Sequence, residues 1–374
     1  MSSRDPAVQG RGSALFSKEK TNVCKGVGIL FLIFHHLFRT PSLIESQHFR
    51  FFFLSVEWAS IIATALRVCV WIFAFLSAYG LTYKYIHLPK EKRGQFVPRQ
   101  WLSLMKPFWF VFIIAIVIAL CKGVNPMATY NYKVTYLLAD FFAVSDFFGT
   151  PKMLGVFWYM CFAQMMILLI PLFVKLCGKL GYLSIPVAYV VMQFLGEGIV
   201  TVNGGGYVEY LVVVICGVVF AQKDLMNRLA QKELSVPKRL TAILVMLVLF
   251  LGALSVRELL LTEDVRHLRG VCSAVGAVSI CMLFGVYIRV GWLDKALGFL
   301  GKYSGTMFLL HSMLYSMLPM IVYVSDIAVL VFLLLTAESL AAAVLLTYIK
   351  KWIRYDRWFI VFEKLIDKIK INFV

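Results

Sequence analysis

Long apolar runs constrain this chain more than any other feature of its sequence. Ten of them approach the roughly 20 residues that a transmembrane helix needs. Only 15% of the residues are charged and 61% are hydrophobic, whereas a soluble domain carries about 25% charged residues. We therefore predict an all-α, multi-pass integral membrane protein, a polytopic bundle of about ten transmembrane helices. The predicted spans are 24–40, 66–86, 101–121, 156–174, 183–199, 207–222, 240–256, 270–288, 304–323 and 327–348.

Lysine and arginine predict the orientation of the bundle. With a cytoplasmic N-terminus, 28 of the 37 basic residues lie in cytoplasmic segments, as the positive-inside rule requires. This predicts N-in and C-in. The expected organisation is a cytoplasmic segment 1–22, a membrane domain 23–348 and a basic amphipathic tail 349–374 on the anionic inner leaflet. The basic residues sit in short loops, so the net charge of +17 indicates a bilayer partner and no nucleic acid.

The remaining sequence patterns exclude some kinds of site. None of the eight cysteines forms a CxxC pair or has metal-ligand spacing, so we expect no metal. Two long outer segments, 41–65 and 122–155, are rich in aromatic residues. Such segments typically lie in the membrane interface or re-enter the membrane, and we expect them to roof a cavity.

The first predicted span carries the strongest candidates for chemistry. Lys25 and His36 are eleven residues apart, which is close to three helical turns and about 16 Å, so they share one helix face. His35 is rotated from that face by about 100°. A buried imidazole can take a proton from a hydroxyl, but His35 and His36 can equally serve as hydrogen-bonding groups between helices.

Other polar residues in or beside the predicted spans are weaker candidates. Arg99 and Lys106 open the third span and suit the phosphates of a cytoplasmic donor, although positive-inside anchoring explains them as well. The remaining candidates are Trp158 and Tyr159 at the start of the fourth span, and Tyr303, Ser304 and His311 in the ninth.

Taken together, these residues resemble the acyltransferase-3 family of membrane O-acyltransferases, over roughly 20–345. The first helix of that family carries a basic residue that is separated by ten residues from a histidine, and Lys25 and His36 match this spacing. Residues 75–80 (FLSAYG) resemble a Phe-rich, Ser-Gly-aromatic element, with Ala78 where Gly is usual. Residues 99–109 (RQWLSLMKPFW) resemble its Arg-rich Pro-aromatic stretch, although Leu102 stands where a second Arg is usual. The Trp158-Tyr159 pair also matches the family pattern, as do the segments 217–221 and 303–311.

The resemblance implies an O-acyltransferase without a fused hydrolase-like domain. Such an enzyme takes an acyl group, usually acetyl, from cytoplasmic acyl-CoA and passes it to a hydroxyl of a carbohydrate or glycolipid, often a cell-envelope polysaccharide. The bacterial plasma membrane is the expected location. In this reading His36 is the catalytic base. Lys25, Arg99 and Lys106 bind the donor, and the acceptor is oriented by supporting residues: His35, Trp158, Tyr159, Tyr303, Ser304 and His311.

Three alternatives remain open at the level of sequence. A transporter or flippase for a lipid-linked sugar would need several charges at mid-membrane, where Glu338 is the clearest. In a different class of membrane acyltransferase, His311 would be the catalyst and His36 would be structural. A non-enzymatic assembly or sensor protein is the third alternative, and no sequence feature argues for it directly.

Overall fold

A computed structural model describes residues 16–195, 206–262 and 265–369. Across these ranges the chain forms helices and no β-strand. The helices are α1 (Lys18–Phe38), α2 (Pro41–Ser46), α3 (Val56–Ala65), α4 (Cys69–Ile86), α5 (Phe96–Cys121), α6 (Pro126–Thr129), α7 (Val134–Phe141), α8 (Trp158–Leu180), α9 (Ser184–Leu195), α10 (Leu211–Gln222), α11 (Leu225–Gln231), α12 (Val236–Ser255), α13 (Arg266–Met282), α14 (Gly291–Met317), α15 (Pro319–Val322), α16 (Ala328–Trp352) and α17 (Ile360–Asp367).

The predicted all-α membrane bundle is confirmed. Seven helical stretches within the described ranges are long and apolar enough to cross a membrane. They are Lys18–Phe38, Val56–Ile86, Lys90–Cys121, Gly155–Leu195, Val236–Leu260, His267–Tyr287 and Ala328–Trp352.

The count of ten spans stays a prediction, because three regions do not fit a simple count. The 41-residue stretch Gly155–Leu195 is interrupted at Gly181, whose φ of 59° ends α8. The stretch Tyr207–Gln222 is shorter than a usual span, and α14 is long but carries Asp294, Lys295 and Lys302. Each predicted segment lies largely within helix where its residues are described, although 24–40 runs past the end of α1 and 304–323 is broken at Leu318; residues 196–199 lie outside the described ranges.

The proposed domain boundaries fall close to helix ends but are not tested by them. Helix α1 begins at Lys18, inside the predicted segment 1–22, and Ser17 caps it by accepting a hydrogen bond from the backbone N–H of Lys20. Residues 1–15 and 370–374 lie outside the described ranges. At the other boundary, α16 runs through Trp352, and the tail then forms the short helix α17.

Helices α1 and α14 pack closely because glycines remove the side chains between them. A Cβ on Gly26 would lie 2.1 Å from the carbonyl oxygen of Leu297, and one on Gly301 would lie 1.7 Å from that of Asn22. Small residues of this kind let two membrane helices approach at backbone distance. The two helices run in the same direction, and their register brings residue 36 beside residue 311.

The predicted second span is one of the apolar stretches, but it is not a uniform helix. A short 3₁₀ turn, Leu66–Val68, joins α3 to α4. The guanidinium of the buried Arg257 donates to the carbonyl oxygens of Thr64 (3.0 Å) and Ala65 (2.7 Å). These carbonyls belong to the last turn of α3, where helical partners are missing. Arg257 therefore stabilises the break between the two helices.

The long segment 122–155 folds back against the helices. The indole N–H of Trp109 in α5 donates to the carbonyl oxygen of Phe141 at 2.9 Å. The side-chain amide of Gln164 in α8 donates to the carbonyl oxygens of Phe142 (2.9 Å) and Ala143 (2.8 Å). Trp109 lies twelve residues, or about 18 Å along the helix, before the end of α5 at Cys121. The tip of the segment thus reaches deep between α5 and α8, which supports its proposed re-entrant course.

Candidate active site

The centre of the candidate site is a cluster of aromatic rings at one end of α1 and α14. The imidazole rings of His36 and His311 have centroids 5.0 Å apart. The ring of Tyr315 stacks on His36 at 6.1 Å and lies 5.9 Å from His311. His311 is fully buried and His36 is partly accessible. We call this the histidine end of the bundle, and the end that carries Lys25, Lys84 and Arg99 the basic end.

The protonation of His311 follows from its hydrogen bond. Its Nδ1 lies 2.7 Å from the carbonyl oxygen of Phe308. A carbonyl can only accept, so we assign the ring proton to Nδ1, which leaves a lone pair on Nε2. That nitrogen is buried and has no hydrogen-bond partner within the described part of the chain. A buried acceptor without a partner is unusual and suggests a functional use.

His35 has a different role from its neighbour. It is buried, and its Nδ1 lies 2.7 Å from the carbonyl oxygen of Ala63 in the last turn of α3. It thus ties α1 to the same helix break that Arg257 stabilises. Its ring still contacts His36, with centroids 5.1 Å apart. His35 therefore fixes the position of α1 at His36 relative to α3.

Lys25 stands at the basic end with its charge uncompensated. Its ammonium group has no hydrogen bond or ion pair with any described residue, and the cations Lys84 and Lys18 act on it electrostatically. The Lys84 ammonium donates to the neutral side chain of Gln100 at 3.2 Å. Two neighbouring cations without a counter-ion form a place where an anion is strongly favoured. The sequence analysis missed Lys84 because no spacing within α4 singles it out.

Arg99 and Lys106, the other predicted donor-binding residues, are already paired. The ammonium of Lys106 lies 2.5 Å from a carboxylate oxygen of Glu363, and the guanidinium of Arg99 pairs with the carboxylate of Asp367. Both acids belong to α17 in the tail. A cavity of about 600 Å³ opens beside these pairs. Its lining comprises Arg99, Gln100, Leu102, Ser103, Lys106, Pro107, Lys350, Tyr355, Asp356, Glu363, Ile366 and Asp367.

Tyr159 is separated from the histidine cluster by one aromatic ring, whereas Trp158 packs against other aromatic residues. The Tyr159 ring contacts Phe308 at 5.1 Å, and Phe308 in turn lies 5.9 Å from His311. The buried Tyr159 hydroxyl is next to the side chain of Ser77, so α8 contacts the FLSAYG element of α4. The Trp158 ring stacks on Tyr207 and Tyr210 instead, at 6.1 and 6.2 Å.

Tyr303 and Ser304 are not part of the histidine cluster. They precede His311 by eight and seven residues on α14, which places them about 10–12 Å away along the helix. The Ser304 hydroxyl donates to the carbonyl oxygen of Gly301 in its own helix at 2.9 Å. The Tyr303 ring packs edge-on against Phe299 at 5.3 Å. Both residues therefore lie away from the proposed reaction centre.

Tyr315 is the second residue that the sequence analysis missed. It follows His311 by four residues, and side chains spaced i, i+4 lie on one helix face. That spacing was the available signal. The Tyr315 ring stacks on His36 and also contacts His311, so this tyrosine is part of the histidine cluster.

A buried carboxylate organises the segment 122–155. Asp140 accepts hydrogen bonds from the hydroxyl of Tyr130 (2.9 Å), the hydroxyl of Ser145 (3.2 Å) and the backbone N–H of Met153 (2.7 Å). Burial raises the pKa of the Asp140 carboxyl to about 6, and the three donated hydrogen bonds oppose that rise. Asp140 thus connects parts of the segment between Tyr130 and Met153 through a single carboxyl group.

No group of three or more His, Cys, Asp or Glu side chains that could hold a metal ion occurs in the described ranges. The chemistry available from these residues is proton transfer by imidazole at the histidine end and anion binding by lysine and arginine at the basic end. The two ends are joined by one face of α1, over about 16 Å.

Comparison with known proteins identifies the family of this chain. No curated protein and no solved structure matches the chain significantly. The acyltransferase domain of the acyltransferase-3 family matches residues 20–348, which is nearly the whole chain. This match decides for an enzyme over a transporter or an assembly protein. The chain belongs to the acyltransferase-3 family and is an integral membrane acyltransferase.

Proposed function

We propose that this enzyme is an O-acyltransferase that moves an acyl group, acetyl in the simplest case, from cytoplasmic acyl-CoA to a hydroxyl of a saccharide in the cell envelope. The observation that carries the proposal is the alignment on α1 of an unpaired cation, Lys25, with His36, whose ring contacts His311 of α14. Lys25 lies at one end of a shared face and His36 lies about 16 Å further along it. A donor bound by its phosphates at Lys25 needs an arm of that length to bring its thioester to His36.

The donor half of the site follows from charge. Acyl-CoA carries phosphates, and Lys25 with Lys84 offers two cations whose charges no described carboxylate balances. Arg99 and Lys106 extend this cationic zone through Gln100, which contacts Lys84. The basic end would face the cytoplasm, because the positive-inside rule places most basic residues there. Acetyl-CoA would then enter from the side where it is made.

The chemical step assigned to His36 is a balanced acyl transfer. His36 takes the proton from the acceptor hydroxyl, and the oxygen attacks the thioester carbonyl. The tetrahedral intermediate collapses with cleavage of the carbon–sulfur bond. The thiolate of CoA leaves and takes the proton back from the imidazolium of His36. A free lone pair on His311 Nε2 stabilises that imidazolium while it exists.

The acceptor side of the reaction is assigned from the surroundings of the histidines. Tyr315 stacks on His36, and Tyr159 reaches the pair through Phe308. Aromatic rings with hydroxyl groups suit a sugar, which presents apolar C–H faces and hydroxyls. The segment 122–155 begins beside the end of α14, where the Lys122 ammonium donates to the carbonyl oxygen of Met317 at 2.6 Å, and it would cover the acceptor. A carbohydrate or glycolipid of the envelope fits this environment, in a bacterial plasma membrane.

The test is thiol release from acetyl-CoA by the purified protein in lipid nanodiscs, with and without saccharide and glycolipid acceptors. We expect acceptor-dependent release of CoA by the wild type and a large loss in His36→Ala. The matched control is His87→Ala, which removes an exposed histidine from the end of α4. Full activity of correctly inserted His36→Ala would overturn the assigned mechanism. Loss in His311→Ala alone would instead make His311 the base.

Transport is distinguished in the same preparation. Glu338 in α16 has a buried carboxylate oxygen without a partner among the described residues, and an ionisable group at membrane depth is a functional candidate by default. Movement of a labelled glycolipid across the bilayer without consumption of acetyl-CoA, abolished in Glu338→Gln, would favour a flippase activity. We expect no such movement, because the family match identifies an acyltransferase.

A further inference from the structure

The tail helix α17 presents two acids to the cations of the proposed donor site. Glu363 and Asp367 are four residues apart, so they lie on one face of the helix. That face meets α5, where Lys106 pairs with Glu363 and Arg99 pairs with Asp367. The side-chain amide of Gln95 donates to the carbonyl oxygen of Asp367 at 3.0 Å. The last turn of α17 is thus held at the start of α5.

We propose that α17 is an acidic latch over the donor-phosphate site. The inference rests on the proposed function, since it assumes that Arg99 and Lys106 bind the phosphates of acyl-CoA. A phosphate and the tail carboxylates would compete for the same two cations, because a guanidinium or ammonium whose donors face one anion cannot serve a second fully. The donor therefore binds by displacing Glu363 and Asp367, and the latch lowers its affinity.

The ion pairs of the latch are of the kind that exchange readily. The side chains of Glu363 and Asp367 are 51% and 56% exposed, and that of Arg99 is 49% exposed, whereas that of Lys106 is 15% exposed. Solvent screens such pairs, and each typically strengthens an interaction by a factor of about 1.4 to 5. A phosphate that reaches Arg99 through two parallel hydrogen bonds is a stronger partner. The adjoining cavity of about 600 Å³ gives it room to approach.

The tail has a separate anchor that would hold it while α17 opens. Tyr355 and Phe359 are buried, and the hydroxyl of Tyr355 donates to the carbonyl oxygen of Lys106 at 3.0 Å. The Phe359 ring also stacks on Trp109 at 5.8 Å. These contacts precede α17 in the chain, so they survive when the two ion pairs break.

The opposite face of α17 explains where the released helix stays. Val361, Phe362 and Leu365 are more than half exposed there, with Lys364 and Lys368 beside them. An apolar stripe flanked by lysines binds the surface of an anionic bilayer. The opened latch would therefore remain at the membrane, close to the site that it uncovered.

The test is calorimetric binding of coenzyme A, without an acyl group, to the full chain in nanodiscs. The variant Glu363→Gln/Asp367→Asn keeps the shape of both side chains and removes their charge. We expect it to bind coenzyme A about 2- to 30-fold more tightly than the wild type, from the typical strengths of two ion pairs whose carboxylates are exposed to solvent. The control Glu91→Gln/Glu233→Gln removes the same charge from exposed acids outside the tail and should leave the affinity unchanged.

The outcomes separate the latch from the function on which it rests. Equal or weaker binding by the tail variant overturns the latch and leaves the acyltransferase proposal intact. No binding of coenzyme A by any correctly folded form contradicts the proposed donor itself. A second measurement needs only the wild type: saturating coenzyme A should speed amide hydrogen exchange in Ile360–Asp367 and leave exchange in α16 unchanged. Unchanged exchange in α17 would also overturn the latch.

Discussion

The two ends of the bundle hold their polar groups in opposite ways. At the histidine end, His35 and His311 are buried and bonded to backbone carbonyls, and one ring nitrogen is left without a partner. At the basic end, Arg99 and Lys106 form ion pairs with side chains that are about half exposed. Buried groups in a low dielectric interact strongly and stay fixed, whereas exposed charges are screened and exchange partners. Proton transfer needs the first arrangement, and a substrate that must enter and leave needs the second.

Substitution of the histidines is the most direct test of the role assigned to the histidine end. We expect His36→Ala to lower the rate by about 10²- to 10⁴-fold, since a general base is lost. His311→Ala should also lower it strongly. If the pair acts as one unit, the double variant should be little slower than His36→Ala. Multiplication of the two single effects in kcat/KM would show instead that the histidines act independently.

The buried carboxylate of the covering segment should respond to pH. The pKa of Asp140 is raised from 3.8 to about 6, so the folded protein favours the protonated acid. This stabilisation is fully present below about pH 4 and is lost as the pH rises through 6. The shift corresponds to about 3 kcal/mol. We expect the difference in unfolding free energy between wild type and Asp140→Asn to fall by that amount from pH 4 to pH 7.

The measurement for Asp140 is the thermal unfolding of both proteins in one detergent across that pH range. Asp356→Asn, an exposed acid of the tail, serves as the control and should follow the wild type at every pH. A difference between wild type and Asp140→Asn that does not change with pH would show that Asp140 is as well solvated in the folded protein as in the unfolded chain.

The backbone contact between α1 and α14 at Gly301 sets the register of these two helices, and we expect it to be disrupted by one added methyl group. In Gly301→Ala the new Cβ would lie 1.7 Å from the backbone oxygen of Asn22, so α1 and α14 must separate. Overpacking of this kind costs about 1–3 kcal/mol. The control Gly305→Ala, one turn further on, meets nothing within 4 Å and should be neutral or slightly stabilising.

Unfolding midpoints and rates of acyl transfer measure the effect of these glycine variants. Gly301→Ala should lose activity as well as stability, because the shift moves His311 away from His36. Wild-type stability in Gly301→Ala would mean that the two helices are not in backbone contact.

The smallest expected effect concerns the unpaired cation of the basic end. Lys25→Ala should weaken coenzyme A binding about tenfold, the loss of one charge-assisted hydrogen bond, while Lys25→Arg should retain most of the affinity. Lys20→Ala is the matched control, because the Lys20 ammonium is already paired with Asp294 at 2.9 Å. Lys20→Ala should lower the stability of the protein and leave coenzyme A binding unchanged. Equal weakening by both variants would indicate a general electrostatic attraction rather than a site at Lys25.

Sequence alone predicted the class of fold and the placement of the helices. Apolar runs near 20 residues can only be helices when their backbone groups lack water, and each predicted segment lies largely within helix where its residues are described. It also predicted that Lys25 and His36 share a face, since helical periodicity is a property of one continuous segment. The family followed from the motifs that flank these two residues.

The sequence could not predict which helices meet or what the predicted cations contact. His311 reaches His36 only because Gly26 and Gly301 let α1 and α14 pack in one particular register. Tyr303 and Ser304, on the same helix, stay about two turns away from that pair.

The charged groups at the basic end show the same limit. Nothing local to Arg99 or Lys106 indicates that carboxylates 268 and 257 residues later in the chain neutralise them. Spacing within a helix is fixed by its 3.6-residue turn and can be read from the chain. Contact between helices depends on the fit of side chains across an interface, and that is decided only when the whole bundle packs.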